Sequence, residues 1–208
     1  MRKLLACVVS ISAGVLLGLP SSPSKADSIV DPAVHEIEAF YAVLVDTMKR
    51  GKQLGLEGRY RELKPAAETA FDIPGMTQMS IGPSWATTSE SDRKALIDVV
   101  ERMTVVSYAK NFANFGGEKF VVEPAAKTRN VDKIVESKLL GSDGSTVPFN
   151  YRLHAVDGHW KIVDIYLNGT ISQLALRRAD FSSTFEKLGP TGLIQKLNAM
   201  VDKQMSRD

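Results

Sequence analysis

The hydrophobic period of the chain changes twice, and that confines it to a mixed architecture. Before Gly116-Gly117, apolar residues recur every three or four positions; from there to about residue 167 they alternate; then the helical period returns. Ile37, Phe40, Tyr41, Leu44 and Met48 mark one face of a helix predicted over 32–50 and ended by Gly51. A second helix fits 58–71, stopped by Asp72-Ile73-Pro74-Gly75, and a short one fits 75–81. Ser89, three residues before Asp92, starts a helix that runs to about Phe115 with apolar residues on so wide an arc that it must be covered on more than one side. Four strands follow at 119–124, 131–140, 147–156 and 159–167, with turn signals at Asp143-Gly144 and Asp157-Gly158. Two helices close the chain, one carrying Leu174, Phe181 and Phe185, the other starting near Pro190. The prediction is an α+β fold: an antiparallel, four- to five-stranded curved sheet covered by helices.

A two-residue loop at Asp157-Gly158 sets the register of the last hairpin. Leu153 then faces Ile162, Tyr151 faces Asp164, and Phe149 faces Tyr166. The face with Phe149, Tyr151, Leu153, Trp160, Ile162 and Tyr166 is the interior one, and Val163, Ile165 and Leu167 fall on the other.

The first 26 residues have the layout of an export signal. Arg2 and Lys3 precede an uncharged apolar stretch from Leu4 to Leu19, shorter than the ~20 residues needed to span a bilayer. Ser24-Lys25-Ala26 supplies the small residues a signal peptidase requires, so cleavage is expected after Ala26, leaving residues 27–208 as a single domain in the periplasm. The formal net charge of +2 is too small to argue for nucleic acid, and three of the 26 basic residues lie within this leader. The single cysteine, Cys7, lies there too. The remaining chain therefore has no disulfide, thiol nucleophile or cysteine-ligated metal.

Motifs for chemistry are missing. The chain has no G-x-S-x-G, no P-loop, no G-x-G-x-x-G and no H-E-x-x-H, so no catalytic, metal or cofactor site is expected. His154 and His159 flank one turn, but the register does not pair them. Asp164 stands out as a carboxylate in an apolar strand, which must be paired, hydrogen-bonded or neutralised. It is either a structural acceptor bonded to Tyr151 or a backbone amide, or an acid/base residue in a pocket.

Several spaced motifs then resemble one family. They are Phe71-Asp72-x-x-x-Met76 with Gly82-x-x-Trp85, Val147-Pro148-x-x-Tyr151-Arg152-Leu153, Gly158-x-Trp160-Lys161-Ile162-x-Asp164-Ile165, Arg178-x-x-Phe181, and Gly192-Leu193-Ile194. Together they resemble the MlaC/Ttg2D family of periplasmic lipid-binding components of ABC-type transport systems. Leu176-Arg177 replaces the Asn-Tyr that precedes the family arginine, and Gly82-Pro83-Ser84-Trp85-Ala86 is similar to the hopanoid-associated HpnM subgroup. The resemblance implies an MlaC-like, NTF2-like cone around an apolar pocket. It implies a lipid ligand, hopanoid or phospholipid, with an inner-membrane transporter and an outer-membrane lipoprotein as partners and transport towards the outer membrane.

Hiding a lipid from water needs apolar surface and little chemistry. At ~0.8 kcal/mol per CH₂, a long acyl chain carries on the order of 10 kcal/mol of hydration cost. The large apolar residues on the converging faces are the expected pocket walls: Phe149, Tyr151, Leu153, Trp160 and Ile162 from the sheet, Tyr108, Phe112, Leu174 and Phe181 from the helices, with Arg178 near the mouth. The competing class is a small enzyme on a similar cone, with Asp164 as its base.

Overall fold

The computed structural model describes residues 31–206, so the leader and its cleavage point lie outside the described residues. Asp31 starts the first helix, α1 (Pro32–Lys49), by accepting from the Ala33 amide at 2.9 Å. Its buried face carries Ile37, Phe40, Tyr41, Leu44 and Met48, as the period predicted. The next helix, α2 (Gly51–Ala70), begins well before the predicted residue 58. It is broken at Gly55, where φ is 60° and ψ −179°, a conformation reserved for glycine. Gly51 has a different reason: a Cβ there would sit 1.9 Å from the Ala113 carbonyl oxygen. Buried Arg59 ties the same region together, donating to the carbonyls of Ala109 at 2.7 Å and Gly51 at 2.8 Å.

Asp72-Ile73-Pro74-Gly75 follows the end of the second helix, as expected, and is also the start of the next one, two residues earlier than predicted. Asp72 caps α3 (Ile73–Ile81) through the Gly75 amide, and the proline occupies the first turn, where its missing N–H costs nothing. A 3₁₀ turn over Gly82–Thr87 leads to α4 (Glu90–Asn111), capped by Ser89.

The sheet holds β1 (Lys119–Val122), β2 (Lys127–Arg129), β3 (Asp132–Leu140), β4 (Thr146–Val156), β5 (His159–Leu167) and β6 (Ile171–Ser172). The order is β1-β3-β4-β5-β6, all antiparallel, with β2 also against β3. The short strands β2 and β6 extend the four predicted ones. Asp157 (φ 49°) and Gly158 (φ 81°) form the expected tight turn between β4 and β5. Asn168 (φ 52°) and Gly169 (φ 75°) form another between β5 and β6.

The predicted hairpin register holds only near its tip. Leu153 pairs with Ile162, but a bulge between Arg152 and Leu153 then shifts the pairing. Val163 is the extra residue, so Asp164 lies opposite Arg152, Ile165 opposite Tyr151, and Leu167 opposite Phe149. Tyr166, expected inside, pairs with Asn150. His154 lies opposite Lys161 and hydrogen-bonds Asp132 at 2.6 Å, apart from His159.

The last helix, α5 (Gln173–Met205), folds back across α3, α4 and β5. Gly189 (φ 68°, ψ −176°) breaks it before Pro190 into the two predicted helices. Phe71, at the α2–α3 joint, bridges to Ile162, and the Asp72 amide donates to the Ile162 carbonyl at 3.0 Å. The core lies between α1, α2, α4, α5 and the covered face of β3–β5. Among the described residues, no helix is long and apolar enough to cross a membrane.

Candidate functional site

An aromatic cluster leads from the core to a cavity. Phe40 meets Phe71 and Tyr108 edge-on, with ring centroids 5.3 and 5.0 Å apart, and Tyr108 stacks on Phe112 at 5.7 Å. Such offset arrangements match ring edges to ring faces. Beneath them Tyr41 donates to the Tyr151 hydroxyl at 3.0 Å and lies 2.7 Å from Ser137 Oγ. Burial pushes the Tyr41 phenol up to about 12, against its hydrogen bonds with Ser137 and Tyr151, and drives Tyr108 and Tyr151 further above their ordinary value.

Beyond Tyr108 the helices and sheet leave a cavity of about 170 Å³, partly open to solvent. Helix α4 contributes Thr104, Ser107, Tyr108 and Asn111, with Phe112 just beyond its end. The sheet contributes Phe149, Asp164, Ile165 and Leu167; Phe71 and Met76 come from the α2–α3 region; Gln173, Leu174 and Arg177 come from α5. Thr104, Ser107, Asn111 and Gln173 are the polar groups, alongside Asp164 and Arg177, in an otherwise apolar wall.

Asp164 holds the start of α5. Its Oδ1 accepts from the amides of Ile165 at 2.8 Å and Leu174 at 2.9 Å, and its Oδ2 accepts from Ser172 Oγ at 2.6 Å. Ser172 in turn caps α5 by accepting from the Ala175 amide at 2.9 Å. The carboxylate thus satisfies the Leu174 N–H, one of the helix-start donors that have no partner inside the helix, and places negative charge at its positive end. The backbone-amide alternative of the sequence reading is the one observed, and Tyr151 is not its partner.

Arg177 has no such commitments. Its Nη1 is shut off from solvent without a hydrogen-bond partner. Burial lowers its pKa, opposed by the charge of Asp164 and by Tyr108. Among the described residues no group of His, Cys, Asp and Glu side chains could hold a metal ion.

Four residues named from sequence line this cavity: Tyr108, Phe112, Phe149 and Leu174. Tyr151, Leu153, Ile162 and Phe181 are buried in the core behind it. Trp160 lies near the hairpin tip, under the Lys133 ammonium at 4.8 Å. Arg178 is exposed, with its guanidinium beside Gly82, and Arg177 takes the cavity position instead. Ile165 and Leu167, placed on the opposite face by the unbulged register, line the wall because Val163 reverses their sides. Phe71 and Met76 stood out in the sequence only as motif residues, without a place in the wall, and the polar groups of α4 carried no signal of their own.

Three comparisons bear on this arrangement. The family model described as "MlaC protein" matches residues 39–199. The fold is similar to that of a phospholipid-binding protein from Ralstonia solanacearum, solved in complex with a phospholipid, with a TM-score of 0.74 at 20% identity over 84% of this chain and 99% of that one. No curated protein matches.

Proposed function

The chain belongs to the MlaC family, and from that premise we propose that it is a lipid-binding carrier. The observation that carries this reading is the half-open cavity walled by Tyr108, Phe112, Phe149, Ile165 and Leu174, on a fold shared with a protein solved with a phospholipid bound. Apolar burial alone supplies the driving force for holding a lipid. The reading is non-enzymatic: both oxygens of Asp164 are occupied as acceptors in holding α5, which supports a structural role for the one carboxylate in the wall.

The finer parts rest on the family and on the sequence. The carrier works in the periplasm, after cleavage behind Ala26, as the single lipid-binding domain 27–208. It shuttles between an inner-membrane transporter and an outer-membrane lipoprotein. The structural neighbour supports a phospholipid as its load, and the motif at Gly82–Ala86 supports a hopanoid. The lipid-contacting walls in this reading are Tyr108, Phe112, Phe149 and Leu174, with Tyr151, Leu153, Ile162 and Phe181 packed behind them.

At about 170 Å³ the cavity is smaller than the ~300–1,000 Å³ of ordinary small-molecule sites. A whole lipid therefore requires the cavity to widen or part of the load to extend through its open side. Native mass spectrometry of the exported protein tests the proposal. A co-purifying lipid, identified after extraction, is expected; protein that stays empty when offered phospholipid and hopanoid would refute it. The same spectrum gives the mature mass, which should begin at Asp27.

A further inference from the structure

Strand β1 ends the sheet, with β3 on one side of it and no strand on the other. Just past its end, the Glu123 amide donates to the Glu136 carbonyl at 2.9 Å. Bonding alternates along an antiparallel pair, so Lys119 and Val121 also turn their backbone groups towards β3. Phe120 and Val122 turn theirs outward. Beside this edge an open groove of about 700 Å³ runs between β1 and α1, lined by Ala42 and Val45 among others, and it leaves room for a further strand.

Phe120 stacks on Tyr41 at 4.1 Å and Val122 packs against the core, which leaves Lys119, Val121 and Glu123 on the opposite face. Lys119 is exposed and has no ion pair among the described residues; Glu123 is exposed too, 4.0 Å from Lys138. A lysine on an edge strand ordinarily keeps other strands away. Here Lys119-Phe120-Val121-Val122-Glu123 carries opposite charges at its two ends, so the same segment laid antiparallel against it matches each charge.

We propose that β1 docks on β1 of a second copy about a two-fold axis at Val121, joining two sheets into one. Phe120 then lies opposite Val122 of the second copy, and their outward N–H and C=O groups bond one another. The Val121 side chains meet across the axis, and Lys119 of each copy faces Glu123 of the other. Centred on Phe120 or on Val122, the pairing leaves Lys119 with no carboxylate opposite. The contact is isologous, so it closes at the dimer. No residue of the cavity wall lies on α1 or β1, so both copies keep their cavities and the inference stands apart from what they hold.

Sedimentation velocity of the purified protein over a concentration series tests the proposal. A reversible monomer–dimer equilibrium is expected. Lys119→Glu or Glu123→Lys sets two like-charge pairs in the dimer and should weaken it about tenfold. Both sites are exposed, so each variant should melt as the wild type does, which separates lost pairing from lost folding. An equimolar mixture of the two single variants should dimerise as the wild type does, because in the mixed dimer opposite charges face each other again; the double variant should do the same. A monomer at every concentration overturns the inference and leaves the edge to an unlike strand. A dimer that neither single variant weakens, or that mixing does not restore, also overturns it, by placing the contact elsewhere.

Discussion

At the scale of single residues, two carboxylates tie the start of a helix to the sheet. Asp164 completes the start of α5 through two hydrogen bonds, from the Leu174 amide and the Ser172 hydroxyl. In Asp164→Asn a donor faces the Ser172 hydroxyl and the negative charge at the helix start is gone. We expect a loss of about 1–3 kcal/mol, measured by urea unfolding, with the slope of the transition unchanged. Asp31 both caps α1 and meets the Lys133 ammonium at 2.7 Å. Burial acts to raise its pKa, but the hydrogen bonds from Lys133 and the Ala33 amide and the lysine charge outweigh it and hold the group below 3.8. A carboxyl held low in the folded state stabilises the fold above its unfolded value, and that stability disappears as pH falls through the lower, folded one. Acid titration of stability should therefore show a component below about pH 3.8 that is missing in Asp31→Asn.

At the scale of elements, α2 and α5 are interrupted by the same backbone geometry, at Gly55 and at Gly189. A Cβ at Gly189 would meet nothing within 4 Å, so a substitution there isolates the conformational cost. Gly189→Ala should lose about 1–3 kcal/mol in thermal or denaturant unfolding, with no steric contribution. Much of the element plan was legible. Asp157-Gly158 marked its turn, the apolar period gave α1 and α4, and Pro190 marked the second half of α5. The bulge was not legible, because Val163, Ile165 and Leu167 are as apolar as the residues on the other side, so nothing in the alternation reveals a one-residue slip. The turn at Asn168-Gly169 carries a hairpin signal, yet β6 is too short to show a period of its own. Asp72-Ile73-Pro74-Gly75 reads equally as a breaker or as a capped first turn, and only the cap geometry decides.

At the scale of the whole molecule, packed core and open cavity respond differently to added volume. Leu153 is fully buried and pairs with Ile162, whereas Leu174 faces the cavity. Leu153→Trp should overpack the core and cost at least about 1–3 kcal/mol. Leu174→Trp should keep most of its stability and lose co-purifying lipid in native mass spectrometry. Equal destabilisation by the two would mean that the cavity is part of the closed core. In the unsubstituted chain, optical properties separate folding from loading directly. Both tryptophans lie outside the cavity wall, Trp85 under the Arg93 guanidinium at 5.4 Å and Trp160 under Lys133 at 4.8 Å. Each indole therefore keeps its neighbours when the cavity fills and loses them when the chain unfolds. Intrinsic tryptophan emission should follow folding and stay silent to loading, while the cavity's own chromophore, Tyr108, answers to its contents.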